Sequence, residues 1–483
     1  MLLGLCAAVF WIQCTDIART VPYPRHVDEG FISGPANRTL VTGTFHPYKF
    51  NYPSLPKYLA SAAMATGFLR AATHLEIRDV SKIGNVGYPY YSAPRVMQTA
   101  RQLFALFSVL ALAATGALAW STLMMPSAIF VAPLLVSASA LFFYQSWAYL
   151  NVDIIALCFS TWTLAASMLG TRRPSILQSA LIPGICAGLA MGSKYTQALV
   201  IGPVLLAIGL YLPRGQRLWG ALVALGAMAL TFIIVVPYSL IDLPSFLNDV
   251  AFEAFHYASG HTGFEADPGL PQVVFYGRHF LTDYGRTAIA LAVLGAIGLI
   301  RADWRRAAVM LSFPLLLGRL LVVQHVHFER NVFPLHPILT VLAASGLVAV
   351  HQWLSDRAGR FDTTRAPYVR WALAVLLVIL VLPLRRVSAE LRDQTDSRNK
   401  ALAWMEQHVP AGWTVIVPEQ LAFDAHPLKA HGLHVIEVDL KAATDTDAFE
   451  QILSGTATGP ALIMLPEWGA DERRNGQVTA DAL

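Results

Sequence analysis

The chain has 483 residues, of which 55% are hydrophobic and only 14% charged, against roughly 25% charged in soluble globular proteins, and its mean hydropathy is +0.50. This excludes an ordinary water-soluble globule and predicts a polytopic membrane protein. The net charge of +4 is gathered in short clusters such as Arg172 and Arg173, which read as topology signal; no nucleic-acid partner is indicated.

The opening run MLLGLCAAVFWIQC lacks the basic n-region of a cleavable signal peptide and reads as a retained first helix, 1–18. Apolar runs long enough to span, about 17–25 residues, follow near 97–120, 126–149, 153–170, 176–193, 197–212, 217–237, 285–301, 305–323, 332–350 and 371–387. Together they predict an all-α bundle of about eleven spans. Cys6, Cys14, Cys158 and Cys186 all fall inside apolar runs and read as small hydrophobes. Gly184, Gly188 and Gly192 lie four apart, a spacing that lets helices approach closely. Trp147, Tyr149 and Tyr238 near span ends read as interface anchors.

Lys and Arg flanking spans are retained inside, so the basic loops at 172–173, 214–217, 301–306 and 357–370 are expected on the cytoplasmic side. Counting back from Arg172 puts the 151–153 turn and Arg95 outside; counting forward from a cytoplasmic Met1 puts Asp28 outside as well. Both counts hold only if residues 53–74, with Pro53, Pro56, Lys57, Arg70 and His74, do not cross. That segment is therefore expected as an amphipathic helix along the outer interface; the alternative is a second span with a re-entrant neighbour.

The organisation that follows is a transmembrane domain over 1–387, with a first external loop at 18–94 and a second at 238–284, and a small external α/β domain over 388–483. In the latter DSRNKALAWMEQH and TDAFEQIL read as helices, and TVIVP, HVIEV and ALIMLP as strands. The N-terminus is expected to be cytoplasmic and the C-terminus external.

This topology gathers ionisable residues at one membrane face: Asp28 and Glu29, Asp153, Lys194, and Glu329 with Arg330, joined by Arg95, His46, Lys49 and Lys57. Singly, each has an ordinary reading: a solvated acid pair, a helix cap at Asp153, a snorkelling Lys194. Together, charges that recur at one face between long uncharged stretches point to a cavity. A carboxylate can deprotonate an acceptor hydroxyl while Lys or Arg neutralises a departing phosphate; Arg330 suits bidentate contact and Lys194 a point charge. No GxxxxGK[ST] loop is present, and nucleotide sugars are not expected outside the cytoplasm, so the energy is expected to arrive as a sugar on a polyprenyl phosphate. His325 and His327, two apart in QHVHFER, make a weak metal pair.

The order HVDEG, FNYPSLPKYL, Arg95, YLNVDIIALCFSTW, GICAGLAMGSKYTQALVIGP and HFERNVFPLHPILTVLAASGL resembles the GT-C glycosyltransferases that use polyprenyl-phosphate sugars, nearest the protein O-mannosyltransferase and aminoarabinose transferase (ArnT-like) group, over roughly 1–350. The resemblance implies Asp28 as catalytic base with Glu29 completing the pair, Asp153 as the acid of the next external turn, Lys194 as the lysine of the glycine-rich span and Arg330 as the arginine before the proline motif. It also implies surface helices in the first loop and a multi-pass protein of a bacterial inner or plasma membrane. Where the aminoarabinose transferases carry a Glu-Lys pair, this chain has Asn51 and Tyr52, so Lys49 or Lys57 substitutes or the headgroup is held differently; the sugar stays open. Arg95 and Lys57 join Lys194 and Arg330 as expected phosphate contacts, and Tyr52 and Glu329 join Asp153 in orienting substrate. A divalent cation (Mg or Mn) on Asp28 and Asp153 is an open alternative.

The expected partners are a polyprenyl-phosphate sugar donor, membrane lipid, and a glycan, lipid or protein acceptor. The competing readings are a transporter or lipid flippase, against which stand the absence of a clear inverted repeat and charges at a face instead of midplane, and a catalytically silent assembly partner.

Overall fold

The computed structural model describes residues 1–21, 23, 26, 28–78, 93–260, 264–361, 397–418, 421, 423, 425–438 and 460–464. The expected span 371–387, the boundary near 388 and the helix TDAFEQIL lie outside the described residues. Among the described residues before 362 there are fifteen α-helices: α1 Leu2–Thr20, α2 Glu29–Thr42, α3 Ser54–Thr73, α4 Pro94–Leu123, α5 Ala128–Ala138, α6 Ala140–Trp147, α7 Val152–Gly170, α8 Ile182–Ser193, α9 Ile201–Tyr211, α10 Arg217–Val235, α11 Tyr238–Ile241, α12 Leu243–Ser259, α13 Leu270–Ala302, α14 Trp304–Val322 and α15 His336–Phe361.

Among the described residues six helices are long and apolar enough to cross a membrane, carried by α1, α4, α7, α10, α13 and α15, and seven if α5 and α6 form one span bent by 75°. Of the eleven expected spans, 371–387 lies outside the described residues, and four others depart from a single straight span for identifiable reasons. Ser139 adopts an extended backbone and caps α6 through Phe142 N–H, which breaks the 126–149 run. The 176–193 and 197–212 runs form shorter apolar helices separated at Lys194, whose backbone is extended. The run at 305–323 forms α14 but carries Arg305, Arg306 and Arg319. Segment 53–74 forms α3, which is not among the spanning candidates; Lys57, Ala60, Met64, Phe68 and Ala71 make its buried stripe.

Small residues set the closest approaches. A Cβ at Gly184 would lie 2.6 Å from Ala224 O, one at Gly188 2.6 Å from Met228 O, and one at Gly192 2.5 Å from Val235 Cγ2, so α8 lays its glycine stripe on α10. Gly295 and Gly346 bring the α13 and α15 backbones together in the same way. Gly285 has φ +74° inside α13 and kinks it.

Charge divides between the two ends of the bundle. Arg172 Nε donates to Ser121 O at 2.6 Å and Arg306 donates to the same carbonyl, at the end of α4 and α7 that also holds Asp303. Asp153 opens α7 at the other end, and 19 residues at 1.5 Å each put about 28 Å between them. After residue 396, α16 (Ser397–His408), β1 (Thr414–Pro418), α17 (His426–Ala430), β2 (His434–Val438) and β3 (Ala461–Ile463) form a parallel sheet in the order β2-β1-β3, over a core of Met405, Val415, Val417, Leu428 and Leu433. Arg398 lies 4.4 Å over the Tyr23 ring and joins this unit to the loop before α2.

The first loop is pinned to the bundle by a fully buried ion pair. Glu29 Oε1 accepts from Arg101 Nε at 2.8 Å and from Leu150 N–H at 3.0 Å, Oε2 accepts from Arg101 Nη2 at 2.7 Å, and the same Nη2 donates to Tyr23 O at 2.8 Å. Removing one partner leaves the other charge buried, which costs about 3–5 kcal/mol, whereas replacing both with apolar groups is often neutral. Glu29→Gln is expected to lower the thermal unfolding temperature in detergent far more than the double variant Glu29→Leu, Arg101→Met.

Candidate active site

The end of the bundle opposite Arg172 carries a narrow cleft lined by Asp28, Ile32, Tyr52, Leu150, Asn151, Val152, Asp153 and Arg330. Asp28 stands immediately before α2. Its Oδ2 is salt-bridged to Arg330 and accepts from Tyr52 Oη at 3.1 Å. Its backbone N–H donates to His26 Nδ1 at 3.1 Å, so that nitrogen is an unprotonated acceptor, and the His26 ring stacks on Tyr149 at 4.4 Å. Burial raises the Asp28 carboxyl, but the Arg330 guanidinium, His26 and the Tyr52 hydroxyl outweigh it and hold the group below the ordinary carboxylate range.

Arg330 opens the 3-10 turn Glu329–Leu335, and its guanidinium lies 5.0 Å from the Phe328 ring. Asp153, in the first turn of α7, accepts from Lys194 Nζ at 2.7 Å. The cap of α7 is Asn151, not Asp153. Lys194 also reaches Asn331 Oδ1 at 3.4 Å, so the second ion pair touches the turn that carries the first.

Tyr52 forms part of the wall of a second, larger space of about 370 Å³, bounded also by Asn51, Lys194, Tyr195, Glu253, Tyr257, Leu317 and Asn331. One side of it is α12, which is tied to the first loop: His46 Nε2 lies 3.0 Å from Asp242, and Asp249 accepts from Phe50 N–H at 2.7 Å. Burial, with Asp249 beside it, raises the Glu253 carboxyl. The outward face of α12 exposes Leu247, Phe252 and Phe255.

Thus Asp28, Tyr52, Asp153, Lys194 and Arg330 come together from five parts of the chain, and other expected residues do not. Glu29 is consecutive with Asp28, yet entering α2 turns it into the core, where Arg101 and Leu150 saturate it; it positions the loop. Arg95 is paired with Glu76 and borders neither space. Lys57 Nζ donates to Lys49 O at 2.5 Å, under the loop, and neither residue lines the cleft. Glu329 lies 3.6 Å from His279, with its side chain 59% exposed. Trp147 and Tyr149, expected at the interface, are buried in the core beside the first loop. His327 stacks on Phe275, and His325 N–H donates to Tyr257 O. The carboxylates of Asp28 and Asp153 each face a basic side chain, Arg330 and Lys194 respectively. Sequence reasoning missed His26, although it sits two residues before Asp28, and missed Arg101, Tyr257 and Asn331, which only the fold brings near.

No protein-family model and no curated protein sequence matches the chain; solved structures do. The apo oligosaccharyltransferase of Archaeoglobus fulgidus matches with TM-score 0.54 and 12% identity, over 93% of this chain and 68% of that one. The Archaeoglobus fulgidus oligosaccharyltransferase AglB with an inhibitory peptide and a dolichol-phosphate matches with TM-score 0.52 and 13% identity, over 85% and 62%. ArnT from Cupriavidus metallidurans bound to undecaprenyl phosphate matches with TM-score 0.52 and 14% identity, over 95% and 88%. The chain shares the GT-C fold. Within that fold the cleft described above is built by the loop before α2, Tyr52, and the starts of α7 and of the Glu329–Leu335 turn, and Lys194 at the break after α8 adjoins it through Asp153.

Burial lowers the Lys57 ammonium to about 7, with Asp249 opposing, against about 10.4 when unfolded. The unfolded state then binds the extra proton between those values, so this residue makes stability rise with pH from about 7 to about 10.4. Lys57→Met is expected to flatten that rise in unfolding temperature over the same window, relative to the unsubstituted protein.

Proposed function

We propose that the chain is an integral-membrane glycosyltransferase that moves a sugar from a polyprenyl phosphate to an acceptor hydroxyl on the extracytoplasmic face. The observation that carries this reading is the convergence of Asp28, Arg330 and Asp153 in one cleft, with Lys194 paired to Asp153 from the wall of the adjoining aromatic-walled cavity. The GT-C fold shared with proteins whose structures hold dolichol-phosphate and undecaprenyl phosphate supports the donor class and an ArnT-like placement.

The acceptor hydroxyl attacks the anomeric carbon as the bond to the phosphate oxygen breaks. Asp28 takes the hydroxyl proton, and the polyprenyl phosphate departs with the bonding electrons, inverting the anomeric centre. Arg330 and Lys194 receive the charge that grows on the phosphate, in a site held off from bulk water. In the resting state Arg330 is engaged by Asp28, so a phosphate binding to Arg330 competes with the carboxylate and frees it as a base. Asp153 orients Lys194, and Tyr52 holds Asp28 toward the cavity. No step is routed through a divalent cation.

The arginines at the far end of α7 belong inside by the charge rule, which puts the cleft outside, lays α3 along the outer interface and carries the C-terminal α/β unit to the external side.

Asp28→Asn is expected to abolish sugar release from a labelled polyprenyl-phosphate donor while leaving membrane insertion unchanged; full activity would remove Asp28 from the reaction. A transporter or silent partner would release no sugar at all. The acid limb of kcat/KM against pH reports the free enzyme, so it should lie below the ordinary carboxylate range. Arg330→Gln, by leaving burial unopposed, should move that limb to higher pH in its residual activity.

A further inference from the structure

A second polar node lies deeper, where α13, α15 and the break between α5 and α6 meet. His279 and Asp283 stand one helical turn apart on α13, on either side of one face, and His336 is the first residue of α15. Each contributes a donor atom, and the three donors lie within 4.8 Å of one another. All three are at least nine-tenths buried, His336 completely. The node is fixed from outside: Asp283 Oδ1 accepts from Ala140 N–H at 2.8 Å, Asp283 Oδ2 accepts from Ser139 Oγ at 2.6 Å, and Tyr284 Oη lies 2.8 Å from His336 Nδ1. Yet the Nε2 atoms of both His279 and His336 are buried with no hydrogen-bond partner among the described residues. An imidazole nitrogen shut away from water and left without a partner is costly.

We infer that His279, Asp283 and His336 form a structural transition-metal site, best suited to zinc, which staples α13 to α15 at the foot of the turn carrying Arg330. Two imidazoles and a carboxylate are a common zinc donor set, and zinc imposes little geometric demand. Bonds of about 2.0–2.2 Å require the three donors to close in modestly from their present separation. The hydrogen bonds to Asp283 and to His336 Nδ1 are the outer contacts that orient metal ligands and fix their tautomers. A single carboxylate against a divalent ion leaves a net positive charge, so the fourth position suits an anionic or water ligand. The site lies apart from Asp28 and Asp153 and does not depend on the glycosyltransferase reading.

The test uses the full chain, purified in detergent without chelator, with zinc alone as probe and cobalt as its spectroscopic substitute. The expected result is a metal-to-chain ratio near one by elemental analysis, visible absorption of tetrahedral cobalt, and a lower unfolding temperature after chelation that zinc restores. In His279→Gln and, independently, His336→Gln, the metal content and the chelator-sensitive shift should both vanish, while Glu265→Gln, remote from the node, keeps both. A wild-type protein that unfolds at one temperature with zinc and with chelator, and that shows neither bound metal nor cobalt absorption, would overturn the site. So would retention of full metal content in both histidine variants, which would mark binding elsewhere.

Discussion

A charge near membrane depth must face an opposite charge or water, because lipid offers it nothing. This constraint organises the end of the bundle where the cleft lies. Asp28 faces Arg330, Asp153 faces Lys194, and Glu29 faces Arg101. The three pairs differ in what surrounds them. Glu29 and Arg101 are sealed on all sides and can only hold structure, while the other two pairs border space that a ligand can enter.

The division of labour between Asp28 and Glu29 follows from how α2 is set against the bundle. Asp28, before the helix, lines the cleft, whereas Glu29, its first residue, is buried against Arg101. Arg101 then ties Glu29 to Leu150 and, through Tyr23 O, to the loop itself. The structural pair thereby sets the position of its neighbour, and through it the distance from Asp28 to Arg330. Lys194 is placed by a comparable device, an extended residue between two apolar helices, which lets an ammonium turn into the cavity instead of along the lipid.

Much of this was legible in the sequence because long uncharged stretches make the few ionisable residues conspicuous. Asp28, Asp153, Lys194 and Arg330 stood out for that reason, and the helix over 53–74 and the TVIVP and HVIEV strands followed from pattern. What pattern cannot give is partner choice. Glu29 and Lys57 look as available as Asp28 and Lys194 until α2 and α3 pack and bury them. Trp147 and Tyr149 look like interface anchors, since nothing local says that the first loop folds back over them. The break at Ser139 was hidden because its cause lies on α13, where Asp283 accepts the hydroxyl.

On the proposed mechanism one guanidinium serves Asp28 at rest and the lipid phosphate in the reaction. The affinity for unglycosylated polyprenyl phosphate of the wild type, Asp28→Asn and Arg330→Gln tests this. Removing the competing carboxylate should tighten binding in Asp28→Asn several-fold, and Arg330→Gln should lose most of it. Equal affinity in all three would show that the phosphate never takes the arginine from Asp28, and the account would fail.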